Sequence, residues 1–208
     1  MKIEKFASQQ KVRIAVIGGY AVRAHARAKM RYTKDIDLAV PKPDDLPKLK
    51  RVLQRADYSV RERPHGLSGY KKIHGIAIVV NATVEEVKRI KRIVVPFYHG
   101  KSKPIRVNVA SLEDTLILKT LLWRDRDIVD VCLLLLSSSG SIDTNQLRFR
   151  LQRRAGLPQF TMHLRQLLDL VGSKRLHSVW REYMARRIDR SEETELWKRV
   201  GRLVEVLE

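Results

Sequence analysis

Two aspartates, Asp35 and Asp37, flank a single isoleucine at the start of a segment that is typical of a β-strand. Side chains alternate between the two faces of a strand, so we expect both carboxylates on one side, roughly 7 Å apart. Two negative charges at that spacing repel each other, and a cation between them relieves the repulsion. Carboxylate oxygens are hard ligands of the kind that Mg²⁺ prefers, and Mg²⁺ often joins them to substrate phosphates. The pair therefore indicates a metal site.

A diglycine, Gly18-Gly19, ends an apolar strand-like stretch, and Asp35 follows it by sixteen residues. A helix-like segment opens at this diglycine, and the N-terminus of a helix attracts phosphate through its free N–H groups. Glycine leaves the space that such an approach requires. Each motif alone is common, because turns use glycine pairs and acids at strand ends are usually solvated. Their order along the chain favours a combined nucleotide and metal site.

The composition limits the class of protein. The 208 residues fit one large domain or two small ones, and no run of eighteen apolar residues and no apolar leader is present. These features predict a cytoplasmic protein outside the membrane. The single cysteine, Cys132, excludes an intramolecular disulfide, and we expect it to be buried in a helix. The histidines lack metal-ligand spacing and no Walker A pattern occurs, which disfavours a zinc site and a P-loop ATPase.

The whole chain has a net charge of +19, and most of this positive charge lies in the first half. Residues 1–110 contain 25 basic and 9 acidic side chains, a net charge of +16, whereas residues 111–208 contain 17 and 14, a net charge of +3. A basic surface around a phosphate-handling site attracts polyanions. We favour contact with nucleic acid, and the alternative is a well-solvated surface.

The residue pattern predicts an α/β domain over residues 1–110 and a helical domain over residues 111–208. In the first domain we expect helices at 1–10, 19–29 and from Asp44 or Asp45 to Ala56, and strands at 12–17, 36–40, 58–63, 70–73, 76–80, 93–98 and 105–109. Residues 64–69 are predicted to form a turn between two of these strands. A further helix is expected after Thr83, because T-V-E-E has capping-box spacing. In the second domain we expect helices at 111–123, 125–137, 143–154, 158–171, 174–187 and 191–207, with a linker at Ser137–Gly140.

The first cluster resembles a known superfamily. Residues 18–25 match a G-G-x-A-x-x-x-H segment, and residues 31–38 match an R-x-T-x-D-I-D-L strand. Both are similar to DNA-polymerase-β-like nucleotidyltransferases, and most of all to their AbiEii-like members, which include abortive-infection toxins. The resemblance implies an α+β fold, a mixed sheet with flanking helices followed by a helical C-terminal domain. It also implies an NTP substrate and the following site residues: Asp35 and Asp37 for Mg²⁺ and catalysis, Gly18, Gly19 and Thr33 for the nucleotide, and His25 as a further candidate.

A second cluster lies at the start of the helical half. Residues 111–130 match S-x-E-D-x-x-x-x-K followed by R-x-x-D-x-x-D, and AbiEii-like proteins have a similar segment. The resemblance implies that Lys119 faces the nucleotide phosphates and that Asp127 completes the catalytic site, with Asp130 as a further candidate one turn on. A lysine ammonium acts on phosphate as a point charge. The alternative is an ion-paired helix junction, because acids in the first turn also stabilise a helix.

One position departs from the superfamily pattern. Many polymerase-β-like enzymes have a third carboxylate on a strand near the paired aspartates, but the candidate strand here, GIAIVVNA, contains no acid. Asn81 is its nearest polar residue, and an amide oxygen can ligate Mg²⁺ but carries no charge. Three alternatives stay open: metal binding is weaker, Asp127 or Glu62 supplies the third carboxylate, or the protein binds without turnover.

Together the two clusters predict a Mg²⁺-dependent nucleotidyltransferase that moves a nucleotidyl group from an NTP to an acceptor hydroxyl. The charge and the toxin-like resemblance favour RNA as the acceptor, with tRNA as a candidate, and a toxin of this kind would have an antitoxin protein as partner. A protein hydroxyl is the other acceptor considered. The alternative from another class is a non-catalytic module that binds nucleotide or nucleic acid on a decayed transferase scaffold. The missing third carboxylate supports that alternative.

Overall fold

The computed structural model describes residues 2–26, 33–95, 105–137 and 142–208. Contacts within these ranges divide the chain into two units. The first contains the described residues up to Ala24 together with Thr33–Ser111, and the second contains His25, Ala26 and Leu112–Glu208. Every helix in the described ranges is too short or too polar to cross a membrane.

The first unit is built on a mixed β-sheet. Its described elements are the helices α1 (Lys2–Gln9), α2 (Gly18–Ala26, without its last two residues) and α3 (Asp45–Arg55) and the strands β1 (Ala15–Ile17), β2 (Asp35–Val40), β3 (Ser59–Arg63), β4 (Gly66–Ile73), β5 (Ile76–Val84), β6 (Arg89–Val95) and β7 (Ile105–Ala110). The strand order is β3-β4-β5-β2-β1-β7-β6. β2 is antiparallel to β1 and parallel to β5, so it lies in the interior of the sheet.

The two faces of the sheet differ in chemistry around β2. The pairing aligns Leu38 with Ala82 and Leu67, and these buried side chains share one apolar core with Leu49 and Leu53 of α3. Full burial of each such leucine stabilises the fold by about 1.5–3 kcal/mol. Neighbouring residues along each strand project to the opposite side. That side, named the open face, carries Asp35 and Asp37 on β2, Ala77, Val79 and Asn81 on β5, Ser68, Tyr70 and Lys72 on β4, and Ser59, Arg61 and Arg63 on β3.

The second unit is helical throughout its described elements. These are α4 (Leu112–Leu122), α5 (Asp125–Ser137), α6 (Thr144–Arg153), α7 (Leu157–Leu170), α8 (Lys174–Met184) and α9 (Arg190–Leu207). α5 is buried along most of its length and packs against α4, α8 and α9. Cys132 lies in this buried helix as expected, and burial raises the pKa of its thiol. Asp189 and Glu192 form a capping box that fixes the start of α9.

The predicted fold class, a mixed sheet with flanking helices followed by a helical part, is confirmed. The predicted helix after Thr83 is wrong. β5 continues to Val84, because Thr83 pairs with both Ala39 of β2 and Gly66 of β4, and these ladder hydrogen bonds outweigh a local capping sequence. Residues 27–29, 96–98 and 138–140, which the sequence assigned to a helix, a strand and a linker, lie outside the described residues.

Substitution of Gly66 by alanine should destabilise the first unit strongly. Gly66 has a φ of +155°, and a Cβ there would lie 1.9 Å from the carbonyl oxygen of Ala82, so the strand pair must separate. We expect a loss of more than about 2 kcal/mol in the free energy of unfolding, measured by urea denaturation with circular dichroism. Gly75→Ala is the matched control, since Gly75 also has a positive φ, of +81°, but has open space around its Cβ position. Equal losses of unfolding free energy in the two variants would show that the contact with the Ala82 carbonyl is not what destabilises Gly66→Ala.

Candidate active site

The paired aspartates lie on the open face at the start of β2. Both are half-buried, and their positions two residues apart place them on the same side of the strand. Among the described residues, Asp35 has no hydrogen-bond or ion-pair partner. Asp37 is aligned with Ile17 of β1 on one side and with Asn81 of β5 on the other. The two carboxylates therefore differ in their described contacts, because Asp37 interacts with Asn81 of β5 and Asp35 has no such partner.

Gly18 lies directly against Asp37. Its φ is +66°, and a Cβ at this position would lie 2.2 Å from the Asp37 Oδ2 atom. Only glycine combines this left-handed backbone with the required space. Gly18 is also the first residue of α2, so free N–H groups at a helix N-terminus are brought next to a carboxylate of β2. Gly18 and Asp37 thus lie next to each other within the first unit.

A chain of hydrogen bonds leads from Asp37 across the open face. The Asn81 Nδ2 donates to the Asp37 Oδ1 at 3.4 Å, and the Ser68 hydroxyl donates to the Asn81 Oδ1 at 3.1 Å. An Arg63 guanidinium N–H donates in turn to the Ser68 Oγ at 3.2 Å. This arrangement turns the amide N–H of Asn81, and not its carbonyl, toward Asp37. Asn81 accordingly supports the carboxylate as a hydrogen-bond donor in this structure.

Ser68 and Arg63 were missed by the sequence analysis, which placed residues 64–69 in a turn. The structure begins β4 at Gly66, and Ser68 pairs with Asn81. The available signal was the alternation of buried Leu67 and Gly69 with the more polar Ser68 and Tyr70. That alternation is typical of a strand with one covered face.

Glu62 cannot supply the third carboxylate. Its pairing with Leu67, and that of Leu67 with Ala82, place Glu62 on the covered side of the sheet, opposite to the side that carries Asp37. The Glu62 side chain instead forms an exposed ion pair with Lys50 at 2.8 Å, which lowers its pKa. This alternative from the sequence analysis is therefore wrong.

The donor set on β2 fits Mg²⁺. No group of three or more acidic, histidine or cysteine side chains converges within the part of the chain that the structure describes. Mg²⁺ does not require such a group, because it usually keeps several waters and binds one or two carboxylates together with substrate phosphates. Asp35 and Asp37 supply that number of carboxylates on one face of β2.

In the second unit, Lys119 forms a buried ion cluster with two aspartates. Its ammonium lies 2.9 Å from the Asp127 Oδ1 and 2.8 Å from the Asp130 Oδ2. The other oxygen of Asp127 accepts a hydrogen bond of 2.6 Å from the Arg124 Nε. Two cations thus balance two carboxylates, while both aspartates are completely buried. α4 supplies the lysine and α5 both aspartates, so the cluster ties these helices together.

The electrostatics of this cluster keep Asp127 charged. Burial raises the pKa of its carboxyl group, but the hydrogen bond from Arg124 and the charge of Lys119 outweigh burial, and the pKa lies below its ordinary value. Because the unfolded chain then binds the proton more readily, the stabilisation is present above the ordinary pKa and is lost as the pH falls through the folded pKa. The ion-paired helix junction considered in the sequence analysis is thus present.

The remaining candidates lie near the start of β2 and along α2. Gly19 is buried in the first turn of α2, and His25 is half-buried in its last turn. Thr33 is half-buried just before β2. Arg31, which belongs to the same motif, lies outside the described residues.

A family model described as "Nucleotidyl transferase AbiEii toxin, Type IV TA system" matches residues 5–204. The chain belongs to the AbiEii nucleotidyl transferase family. The resemblance seen in the two sequence clusters and the prediction of a nucleotidyltransferase are both confirmed by this match, which includes both units.

Two solved structures are similar to this chain. MenT4, a nucleotidyltransferase toxin from Mycobacterium tuberculosis H37Rv, is 13% identical over 100% of this chain and 90% of that chain, with a TM-score of 0.52. The antibiotic-resistance factor ANT(2″)-Ia, solved with adenylyl-2″-tobramycin, is 18% identical over 74% of this chain and 95% of that chain, with a TM-score of 0.48. A comparison with curated proteins gave no match. The similarity to MenT4 shows a shared fold.

Gly18→Ala should displace the Asp37 carboxylate and weaken metal binding. The added methyl group would occupy the position of the Asp37 Oδ2, so the carboxylate must rotate away. We expect Mn²⁺, used as a Mg²⁺ analogue in an electron paramagnetic resonance titration, to bind about tenfold more weakly. Gly172→Ala is the control, because Gly172 has a φ of +79° but nothing near its Cβ position. If Gly18→Ala bound Mn²⁺ with unchanged affinity, the carboxylate of Asp37 would not be a metal ligand.

Lys119→Met should destabilise the second unit by about 3–5 kcal/mol, because it removes the cation that two buried carboxylates share. Urea denaturation at pH 7, followed by circular dichroism, measures this loss. Lys50→Met is the matched control. It breaks the exposed pair with Glu62, which contributes under about 1 kcal/mol. If Lys119→Met lost as little free energy of unfolding as the control, the ion cluster would not stabilise the second unit.

Proposed function

We propose that this AbiEii-family protein transfers a nucleotidyl group from an NTP to a hydroxyl of RNA, with Mg²⁺ held by Asp35 and Asp37. The observation that carries the proposal is the contact of Gly18 with Asp37, which joins a helix N-terminus to a carboxylate pair. Phosphate oxygens bind at a helix N-terminus, and Mg²⁺ binds to carboxylates. A nucleoside triphosphate with its metal ion needs both at the same place.

In the proposed reaction, an acceptor oxygen forms a bond to the α-phosphorus of the NTP while the α–β phosphoanhydride bond breaks. Pyrophosphate leaves, and the hydroxyl proton passes to solvent. Bound Mg²⁺ would neutralise the triphosphate and orient the attacking oxygen. The N–H groups of Gly18 and Gly19 would hold a phosphate, and Thr33 would contact the nucleotide. Asn81 would keep Asp37 in one orientation through the hydrogen bond described above.

Lys119 and Asp127 are proposed to contribute to the same reaction. The ammonium of Lys119 is fully engaged by two carboxylates, so a triphosphate would have to compete with Asp130 or Asp127 for it. A shared ammonium of this kind can stabilise the negative charge that develops on the leaving pyrophosphate. Asp127, charged because its pKa is lowered, would supply the carboxylate that the strand of Asn81 lacks.

The net charge of the first half of the chain and the family description support the proposed acceptor and partner. The net charge of +16 over residues 1–110 favours a polyanionic acceptor, and RNA, including tRNA, is such an acceptor. The family description places its members in type IV toxin–antitoxin systems, so we propose a toxin role with an antitoxin protein as partner. The reaction would take place in the cytoplasm, where NTPs and RNA occur together.

A second candidate is a module that binds nucleotide or RNA without turnover. It is favoured by one observation, the amide of Asn81 at the position on β5 that is aligned with Asp37. A neutral side chain there attracts Mg²⁺ less than a carboxylate would. The two candidates differ in turnover and can be separated by the following experiment.

Asp37→Asn should reduce nucleotidyl transfer at least about a hundredfold, because the substitution removes a charged metal ligand while conserving side-chain volume. The protein is incubated with Mg²⁺, each radiolabelled NTP in turn and total RNA, and label in the RNA is counted. Asp44→Asn is the control, since Asp44 is exposed and its side chain makes no cap hydrogen bond. If the unmodified protein transfers no label from any NTP, the binding module is favoured.

A further inference from the structure

Cations of the first unit lie on both sides of the sheet. On the covered side, two of them pair with acids: Lys50 with Glu62 at 2.8 Å, and Lys71 with Asp57 at 3.1 Å. On the open face, Arg61 and Lys72 are exposed and have no hydrogen-bond or ion-pair partner among the described residues. The side that carries the aspartate pair therefore presents at least two cations that no acid among the described residues neutralises.

The open face is a polar surface that extends from the aspartates to the edge of the sheet. Strand pairing aligns Asp37 with Asn81, Asn81 with Ser68, and Ser68 with Arg61, which forms one row across four strands. Three strand spacings of about 4.8 Å separate the ends of this row, a distance of about 14 Å. The strands β5, β4 and β3 contribute no acidic side chain to this face. Negative charge on the open face is thus confined to β2.

Tyr70 lies in the next row of the open face, between these cations. Tyr70 is 48% exposed. Pairing aligns it with Val79 on β5 and Ser59 on β3, so its neighbours in the row are small or of medium size. An exposed ring on a sheet surface, with cations nearby, is an arrangement on which an unpaired base can stack.

We propose that the open face binds the acceptor as a single-stranded segment of RNA, which crosses β3, β4 and β5 and ends with its reactive hydroxyl at Asp35 and Asp37. Arg61, Arg63 and Lys72 contact phosphates, and a base stacks on Tyr70. This inference rests on the proposed function for the identity of the acceptor. A duplex would fit less well, because its bases are already stacked and cannot reach the ring of Tyr70.

The surface is tested by binding, without NTP or metal. A fluorescent single-stranded RNA of about twelve nucleotides is titrated with protein, and anisotropy gives the dissociation constant at several salt concentrations. The variant Arg61→Ala/Lys72→Ala should bind at least about tenfold more weakly at low salt. Its salt slope should decrease by about 1.4, because each phosphate contact to a single strand contributes roughly 0.7.

The matched control is Lys5→Ala/Arg51→Ala. It removes the same charge from exposed positions on α1 and α3, the helices of the covered side. The control should bind RNA within about twofold of the unmodified protein. Equal weakening in the two double variants would overturn the proposal, because it would mean that total charge and not the open face determines binding.

Tyr70 provides an independent arm. Tyr70→Ala should weaken binding about tenfold with an unchanged salt slope, since a stacked base is lost but no phosphate contact is. Tyr70→Phe keeps the ring and should restore the affinity. If neither Tyr70→Ala nor Arg61→Ala/Lys72→Ala affects RNA binding, the open face is not the RNA site. A protein such as the antitoxin then becomes its expected occupant.

Failure of this inference can be distinguished from failure of the proposed function. An unmodified protein that transfers label to RNA, with open-face variants that bind RNA normally, would overturn the inference alone. An unmodified protein that binds RNA through Tyr70 and Arg61 but transfers no label would overturn the proposed function alone.

Discussion

The position of β2 between an antiparallel and a parallel neighbour is the constraint on which the candidate site depends. This pairing sets Asp37 opposite Ile17 and Asn81, and it sends Leu38 into the core. A shift of one residue in the register would exchange the two faces and bury both aspartates against α3. The apolar packing of Leu38 and Val40 therefore fixes the chemistry on the other side. Stability and the site geometry are two consequences of the same register.

The two units handle buried negative charge in different ways. On β2, Asp35 has no partner among the described residues, and Asp37 accepts a long hydrogen bond, of 3.4 Å, from the Asn81 amide. On α5, Asp127 and Asp130 are completely buried and share one ammonium at under 3 Å. In the first arrangement, the carboxylate of Asp35 has no protein partner among the described residues. In the second, both carboxylates are paired within the protein, so any ligand that uses Lys119 must displace an existing ion pair.

The sequence predicted those parts of the candidate site that depend on residues close together in the chain. Gly18 and the Asp35–Asp37 pair could be found because a strand end, a helix start and a period of two are features of neighbouring residues. Contacts between distant strands could not be found in this way. Ser68 was placed in a turn and Thr83 at the start of a helix, although pairing with β2 and β5 makes both parts of strands. Asn81 was noticed in the sequence, but only the register shows that it is aligned with Asp37.

The edge strand β3 has a consequence for aggregation. It is the last strand on one side of the sheet, and its exposed residues Arg61, Glu62 and Arg63 are followed by Pro64. Charged side chains and proline at an edge oppose pairing with the edge of another molecule. A polyanion bound over Arg61 and Arg63 would neutralise most of that protection. The protein would then stay dispersed best when free of RNA, and its colloidal stability would depend on the ratio of protein to polyanion.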